Sequence, residues 1–460
     1  MELDRSLLLT LPLLMFGCGN EPPAPAPAPA EPPKAAAPPA DKATPKPEKP
    51  ALAAKKSARK KEPLNVLLLT IDALRADMPW SGYARDIAPN LTRFARENVV
   101  FDNHRSVTSF TAQSVPAMLS GRYASTLYRS GYFFAGYQDS NELFPEALQQ
   151  KGIRTMAVHS HLYFNRGKGL NQGFDLWEMV PGLTFNERSD DHVTSPKTNE
   201  LMQKQLSDPE NVKGQFFAWT HYTDPHHQWI KHKESPDFGN RERDLYDNEV
   251  HYTDQHVGKL LDWAAEQPWW DKTAVIISAD HGEAFGEHGM MQHAHELYEE
   301  LVRVPLLIRV PGVEAQRIST PHTHLDLGPT IMELMGQEAL SGFMGESLVP
   351  MLEGKPGKVK PVVLELTADN VQPARRAVVS GDWKLIRFGD KTGPEKLFHL
   401  KTDPGEQKDL AKTEPEKLSE LRALLDSQFA KLPRIQPHGG MKLKGGGVAD
   451  GPMRPELAAR

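Results

Sequence analysis

The chain contains four short apolar runs that each lead directly into acidic or histidine side chains. The first run is apolar at most positions, as expected for a strand covered on both faces of a sheet. In an open α/β sheet the ligand site lies outside the carboxyl ends of the strands, so these side chains would gather at one edge. The runs and the residues after them are Leu64 to Ile71 with Asp72, Thr155 to Val158 with His159 and His161, Phe216 to Thr220 with His221 and His226, and Ala274 to Ala279 with Asp280 and His281.

Polar stretches of helical character separate these runs, and this alternation predicts βα units around a mostly parallel sheet. We expect an α/β fold with that sheet sandwiched by helices. The segment from Arg376 to Leu400 reads as strands joined by turns, which indicates a small C-terminal α+β subdomain. Helices are predicted at Asn90–Asn98, Glu142–Gln150, Glu249–Glu266 and Glu414–Leu432. The predicted boundaries are 63–340 for the catalytic domain, 341–433 for the subdomain and 434–460 for a disordered tail.

The first part of the chain has a different composition. A short apolar stretch from Ser6 to Phe16 precedes Cys18, the only cysteine, and resembles a bacterial lipoprotein signal peptide at 1–18. The segment 19–62 is rich in proline and alanine and is expected to be a disordered linker. We therefore expect an exported lipoprotein of the cell envelope, in the outer membrane or periplasm, held to the membrane by an N-terminal lipid anchor.

Charge and residue types narrow the chemistry. The formal net charge of −6 gives no indication of nucleic-acid binding. A single cysteine excludes a cysteine-based zinc site. Asp72, Asp280 and His281 together form a ligand set suited to one divalent ion such as Ca, Mg, Mn or Zn. The segment from Ser106 to Arg122 offers hydroxyl groups at the start of a predicted helix, where unpaired backbone N–H groups favour a bound oxyanion.

Eight segments in this order resemble the sulfatase family of the alkaline phosphatase superfamily. Together they extend from about Pro63 to Leu432. They are Thr70–Asp77, Ala88–Ala95, Leu119–Arg122, Pro225-His226, Ser278–Glu283, His293–Pro305, Asp326–Thr330, and the closing pair Asp382–Ile386 and Leu397–Leu400 with Asp403–Glu406.

The resemblance implies a role for each candidate residue. It implies a nucleophile at Thr111, which also binds the metal, and the further metal ligands Asp72, Asp280 and His281. It implies that the oxygens of the transferred group are held by His159, His161 and His293, and that His226 or His221 protonates the leaving oxygen.

One departure from the family pattern bears on the reaction. Sulfatases of the main type oxidise a cysteine or serine to formylglycine, but Thr111 stands at that position, with Gln113 and Val115 in place of the motif's proline and arginine. Ala73 likewise stands where many sulfatases have a second aspartate ligand. We therefore expect a metal-dependent hydrolase of a sulfate or phosphate ester, and chemistry favours the phosphoester.

Two alternatives remain at this level. The first is a transferase that passes a phospho-alcohol head group to an envelope glycan. The second is a catalytically inactive surface protein that binds anions. The substrate is expected to be a small-molecule, glycan or lipid ester, and the sequence does not indicate an oligomeric state.

Overall fold

The computed structural model describes residues 62–184, 193–438, 441–442 and 448–449, and its centre is an eight-stranded sheet. The five strands from Thr273–Ala279 to Leu176–Met179 run parallel, and Leu306–Arg309 runs antiparallel to both of its neighbours. The spatial order is Gln316–Ile318, Val99–Phe101, Leu306–Arg309, Thr273–Ala279, Asn65–Ile71, Phe216–Tyr222, Arg154–His159 and Leu176–Met179. The predicted mostly parallel sheet is confirmed.

Alternate residues of the central strand Asn65–Ile71 belong to two different hydrophobic cores. Val66 and Leu68 pack on one side, and Leu67 and Leu69 pack on the other. Apolar layers therefore cover both faces of the sheet, which explains why this strand is apolar at successive positions instead of alternating ones.

Helices surround the sheet, and three of the four predicted helices lie within a few residues of their expected bounds. The exception is the long helix predicted to begin at Glu249, which begins at Glu242. There the Asp244 carboxylate accepts a hydrogen bond from the Arg241 backbone N–H at 3.0 Å and caps the helix. The helices are Pro89–Glu97, Thr111–Ser120, Phe144–Gln150, Ser195–Ser207, Pro209–Val212, Glu242–Ala265, Glu299–Val302, Leu327–Leu334, Val349–Leu352 and Pro415–Ala430.

A second, antiparallel sheet of four strands forms the predicted C-terminal subdomain. Its strands are Val362–Leu366, Arg375–Ser380, Trp383–Arg387 and Glu395–His399. One face packs against the helix Pro415–Ala430. Residues of the other face, such as Ala377 and Ile386, belong to the same core as the main sheet, so the two sheets share hydrophobic packing.

A buried ion cluster joins the two sheets. The fully buried Lys384 donates to Glu299 Oε1 at 2.9 Å and lies 3.0 Å from Glu406 Oε1. Arg105 donates to both carboxylate oxygens of Glu299, from Nε to Oε1 at 2.9 Å and from Nη2 to Oε2 at 2.7 Å. Residues of the stretches His293–Pro305, Asp382–Ile386 and Asp403–Glu406, which carried the family resemblance, therefore meet at one buried junction.

The first residues of the C-terminal tail are held by backbone hydrogen bonds, contrary to the prediction. The tail was predicted to be disordered from residue 434, but Ile435 donates a backbone hydrogen bond to Ser125, and His438 donates one to Arg129. These contacts fix the chain against a neighbouring loop as far as His438. The predicted signal peptide at 1–18 and, apart from residue 62, the linker at 19–62 lie outside the described residues. Within the part of the chain that the structure describes, no helix has both the length and the apolar character needed to cross a bilayer.

Candidate active site

The register of the central strands brings two carboxylates together. Ile71 pairs with Ala279 in the parallel ladder, so the next residues, Asp72 and Asp280, leave the sheet side by side. Both are fully buried. Asp280 Oδ1 accepts hydrogen bonds from the backbone N–H groups of His281 and Ala73, at 2.9 and 3.3 Å, which fixes the orientation of this carboxylate.

The remaining oxygen atoms of this pair fit a divalent cation. Asp72 Oδ1 and Asp280 Oδ2 are buried without a hydrogen-bond partner, and they lie 3.6 and 3.4 Å from His281 Nε2. His281 Nδ1 is 2.8 Å from the Gly282 carbonyl and therefore carries the proton, which leaves the Nε2 lone pair available. Two orphaned carboxylate oxygens and one imidazole lone pair converge, and a bound cation would satisfy all three.

Thr111 places a hydroxyl at this cluster. It is the first residue of the helix Thr111–Ser120, which is buried along its whole length. Its Oγ1 lies 2.8 Å from His281 Nε2. One turn later, Ser114 Oγ donates to the Asp280 carbonyl at 2.5 Å and lies 3.1 Å from His324 Nδ1. Two hydroxyls thus join the first turn of this helix to the strand end that carries Asp280.

His221 lies behind Asp72, inside the protein. The Thr70 hydroxyl accepts a hydrogen bond from Trp219 Nε1 at 2.8 Å and lies 2.8 Å from His221 Nδ1. If the hydroxyl donates to Nδ1, then Nε2 carries the proton of the neutral ring and faces Asp72 Oδ2 at 3.4 Å. His221 is fully buried, and its contacts are those of a residue that orients Asp72.

Three further histidines lie in front of the carboxylates. His161 Nδ1 accepts from the Tyr163 backbone N–H at 3.1 Å, so its Nε2 carries the proton and faces Asp72 Oδ2 at 3.7 Å. His226 Nδ1 is 2.9 Å from the His227 carbonyl. The ring of His226 lies 5.0 Å from that of His293 and 5.9 Å from that of His161. The structure therefore brings His161, His226 and His293 together around the metal-type cluster.

Glu283 is a site residue that we did not single out from the sequence. It is fully buried, and both of its carboxylate oxygens lie 3.2 Å from His293 Nδ1. The two residues flanking His293, Gln292 and Ala294, have positive φ angles of 64° and 70°, a conformation that L residues adopt only under constraint. The only sequence signal for Glu283 was its position in the family-like segment Ser278–Glu283. Its pairing with His293 is visible only in the tertiary structure.

His159 is placed differently from the other predicted substrate ligands. It is fully buried, with its ring 4.8 Å from Trp177 and 5.4 Å from Phe164. Neither ring nitrogen has a hydrogen-bond partner in the described chain. Burial lowers the pKa of His159 to about 3, so this residue is a neutral ring within an aromatic layer and adds no charge to the site.

The two central carboxylates have opposite pKa shifts. Burial disfavours the charged form of Asp72, but the charge of His226 and a hydrogen bond from His221 outweigh it and lower the pKa. Burial and the neighbouring charge of Asp72 raise the pKa of Asp280. Burial also raises the pKa of Glu283 to about 7. This accumulation of uncompensated negative charge is what a metal ion would neutralise.

Comparisons with known proteins agree with this geometry. The sulfatase family model matches residues 64–337, and the model of the N-sulphoglucosamine sulphohydrolase C-terminal region matches 286–434. Choline-sulfatase of Rhizobium meliloti is 23% identical, covering 75% of this chain and 82% of its own. The ulvan-active sulfatase of Formosa agariphila is 26% identical, covering 80% and 81%.

Solved structures share the fold. A 2-O GAG sulfatase superposes with a TM-score of 0.68 at 22% identity, covering 80% of this chain and 92% of that one. A phosphonate monoester hydrolase from Silicibacter pomeroyi gives a TM-score of 0.62 at 21% identity, covering 80% and 94%. The family model covers more than half of the chain, and the fold agrees with it. The chain belongs to the sulfatase family of ester hydrolases.

Proposed function

We propose that this protein hydrolyses a phosphate or sulfate ester through Thr111, with a preference for the phosphoester. The observation that carries the proposal is the position of Thr111 Oγ1, 2.8 Å from His281 Nε2 and beside the carboxylates of Asp72 and Asp280. A hydroxyl at a helix start and next to a cation site is placed for nucleophilic attack.

Four residues would form the cation site, and one of them is the nucleophile. Asp72, Asp280 and His281, with the Thr111 hydroxyl, would hold the divalent cation, whose chemistry is to lower the pKa of the hydroxyl and to neutralise charge on the transferred group. The hydroxyl proton of Thr111 would pass to solvent when the cation is bound. Thr111 Oγ1 then forms a bond to the central atom as the bond from that atom to the leaving oxygen breaks.

The surrounding histidines manage charge and protons. The protonated Nε2 of His161 donates a hydrogen bond to an oxygen of the transferred group, and His293, held by Glu283, lines the same space. His226 gives its proton to the leaving oxygen. Water then attacks the central atom and gives a proton to His226, and the bond to Thr111 Oγ1 breaks, which leaves that oxygen deprotonated as it was before the attack. His221 is assigned to orienting Asp72, and His159 to packing.

Thr111 is also the reason for favouring phosphorus. Formylglycine releases its sulfate through the second hydroxyl of an aldehyde hydrate, and an unmodified threonine has no such hydroxyl. A threonine ester must be cleaved by water at the central atom, a route familiar for phosphoryl transfer. Sulfate is the second candidate centre, because choline-sulfatase and the ulvan-active sulfatase are among the relatives. Head-group transfer and anion binding without catalysis are the alternatives to hydrolysis.

A substrate panel with Thr111 variants tests the proposal. The purified chain is assayed on matched phosphomonoesters, phosphodiesters and sulfate esters. Thr111→Ala is expected to keep the fold and lose turnover, and Thr111→Ser to keep part of it because the attacking oxygen remains. Acid-quenched enzyme should show a phosphorylated peptide that contains Thr111 by mass spectrometry. Thr126→Ala, which removes a buried hydroxyl bonded only to Tyr123 O, is the matched control and should retain turnover.

The outcomes separate the candidates. Full turnover by Thr111→Ala, with no adduct on the parent, would refute the nucleophile. Turnover of sulfate esters alone would replace phosphorus by sulfur as the centre. No turnover of any ester by the metal-loaded parent would leave only the transferase and the binding protein.

A further inference from the structure

An aromatic layer begins at the residue before Thr111. The ring of Phe110 stacks on that of Phe133 at 4.2 Å with an interplanar angle of 29°. Phe134 lies 6.0 Å from Phe110 and 5.1 Å from Phe133, edge-on to the latter. Phe110 is buried, whereas Phe134 is 40% exposed. The exposed ring is therefore connected, through one buried ring, to the helix start that carries Thr111.

The same exposed ring is connected to the opposite side of the site. Phe134 lies 5.8 Å from the ring of Tyr163. The backbone N–H of Tyr163 donates to His161 Nδ1 at 3.1 Å, and the two rings are 6.2 Å apart. We call Phe110, Phe133, Phe134 and Tyr163 the aromatic platform. Its exposed member therefore lies near one ring that directly precedes Thr111 and one ring whose backbone N–H is bonded to His161.

Backbone hydrogen bonds hold the platform in place. The Phe133 N–H donates to Asn370 Oδ1 at 2.7 Å, and the Asn370 N–H donates to the Gly131 carbonyl at 3.0 Å. Lys168 Nζ donates to the Phe134 carbonyl at 3.1 Å. A large aromatic side chain kept in water by a fixed loop is preorganised for stacking, because little conformational entropy is lost when a ligand binds.

The rim around the platform is apolar as well. Tyr132 is 53% exposed and Val371 is 65% exposed, on the two loops that Asn370 joins. Gln372 connects the second loop back to the site, since its Nε2 donates to the Ala294 carbonyl at 2.7 Å, one residue after His293. Exposed apolar side chains on loops that are bonded to a polar reaction centre are typical of a ligand-binding cleft.

From these contacts we propose that the aromatic platform is a specificity subsite that binds the organic group of the ester through a flat ring stacked on Phe134. The proposal rests on the proposed function, because it concerns the substrate of the same site. It defines the substrate class as esters whose organic group has a flat apolar face, either an aryl group or the face of a sugar ring.

The test compares phenyl and 2-naphthyl esters of phosphate or of sulfate, whichever the enzyme hydrolyses. These two leaving groups have nearly the same acidity but differ in ring area. The parent is expected to prefer the naphthyl ester through KM. Phe134→Ala should lower kcat/KM for that ester by about 2- to 10-fold, the range of one aromatic stacking contact, and should affect the phenyl ester less. Phe134→Tyr should restore the preference, because a ring is again present.

Val359→Ala is the matched control, because it removes an exposed apolar side chain at a residue that is 71% exposed and outside the platform. It should leave both esters unchanged. Thermal unfolding checks that Phe134→Ala folds like the parent. A hexose phosphate or sulfate shows whether the stacked ring belongs to a sugar or to an aryl group. If Phe134→Ala lowers kcat/KM only for the sugar ester, the substrate is a glycan. If it lowers kcat/KM only for the naphthyl ester, the substrate carries an aryl group.

Binding separates this subsite from the reaction. If the parent hydrolyses neither ester but binds 2-naphthyl phosphonate more tightly than methyl phosphonate, and Phe134→Ala abolishes the difference, the subsite stands and the proposed function fails. If the parent hydrolyses both esters and Phe134→Ala changes neither ratio, the subsite is refuted and the function stands.

Discussion

Ser114 is a buried residue whose hydroxyl should contribute both to the stability of the fold and to the position of Thr111. Its hydroxyl donates to the Asp280 carbonyl at 2.5 Å and lies 3.1 Å from His324 Nδ1. With the hydroxyl proton committed to the carbonyl, its oxygen accepts from His324. Ser114 and His324 are both fully buried. Ser114→Ala removes both interactions and leaves a carbonyl and an imidazole N–H that water cannot reach.

The magnitude follows from those two groups. A buried polar group left without its partner costs about 1 to 3 kcal/mol. Two such groups, less a few tenths of a kcal/mol for the better helix propensity of alanine, give a loss of about 2 to 5 kcal/mol in the free energy of unfolding. Activity should fall further, because Thr111 lies one turn before Ser114, and a displacement near 1 Å can lower the rate by about 100-fold.

Ser120→Ala is the matched control. Ser120 is also buried in the same helix, where its hydroxyl donates to the Pro116 carbonyl at 2.7 Å and accepts from the Arg122 backbone N–H at 3.3 Å. Arg122 N–H also donates to the Ala117 carbonyl, so it keeps an acceptor when the hydroxyl is removed. Loss of the Ser120 hydroxyl should change the free energy of unfolding by less than about 1 kcal/mol and leave turnover intact. Urea unfolding followed by circular dichroism measures stability, and kcat and metal content are measured on the folded variants. Equal stability and equal kcat for the two variants would refute the assignment of Ser114 as the positioning residue.

Three further predictions concern the metal, the junction between the sheets and the N-terminus. Asp280→Asn removes one negative charge from the cation site, so elemental analysis should show loss of both metal and activity, and unchanged metal content would contradict the site. Lys384→Met leaves Glu406 without its cation and should destabilise the fold by about 3 to 5 kcal/mol. Burial raises the pKa of Glu406 to about 7, so the folded state holds this proton more tightly than the unfolded state. The stability linked to protonation of Glu406 is fully present below the pKa of the unfolded state and is lost as pH rises through about 7. Urea titrations should therefore show a larger loss of unfolding free energy for Lys384→Met, relative to the parent, at pH 8 than at pH 5. An equal loss at both pH values would contradict this. Cys18→Ala should release the protein from the membrane fraction, and unchanged fractionation would contradict the proposed lipid anchor.

The sequence was sufficient to predict the architecture and to place Asp72 and Asp280 at one edge of the sheet. Apolar runs at a spacing typical of βα units specify a parallel sheet, and parallel strands necessarily end at the same edge. Asp72 and Asp280 follow directly after two such strands, so their proximity required only that the two strands pair with their carboxyl ends level, as Ile71 and Ala279 do. Position in the family pattern supplied Thr111, and the helix start explains its orientation towards His281.

The tertiary structure alone decided what the histidines contact. His159 and His161 are two residues apart in the chain, yet His159 lies in an aromatic layer with Trp177 and Phe164, and His161 faces Asp72. Packing between distant segments determines which group fixes the tautomer of each imidazole. It also determines that Glu283 pairs with His293. No local pattern encodes such contacts, because burial and hydrogen-bond partners are set by which segments meet when the chain is folded.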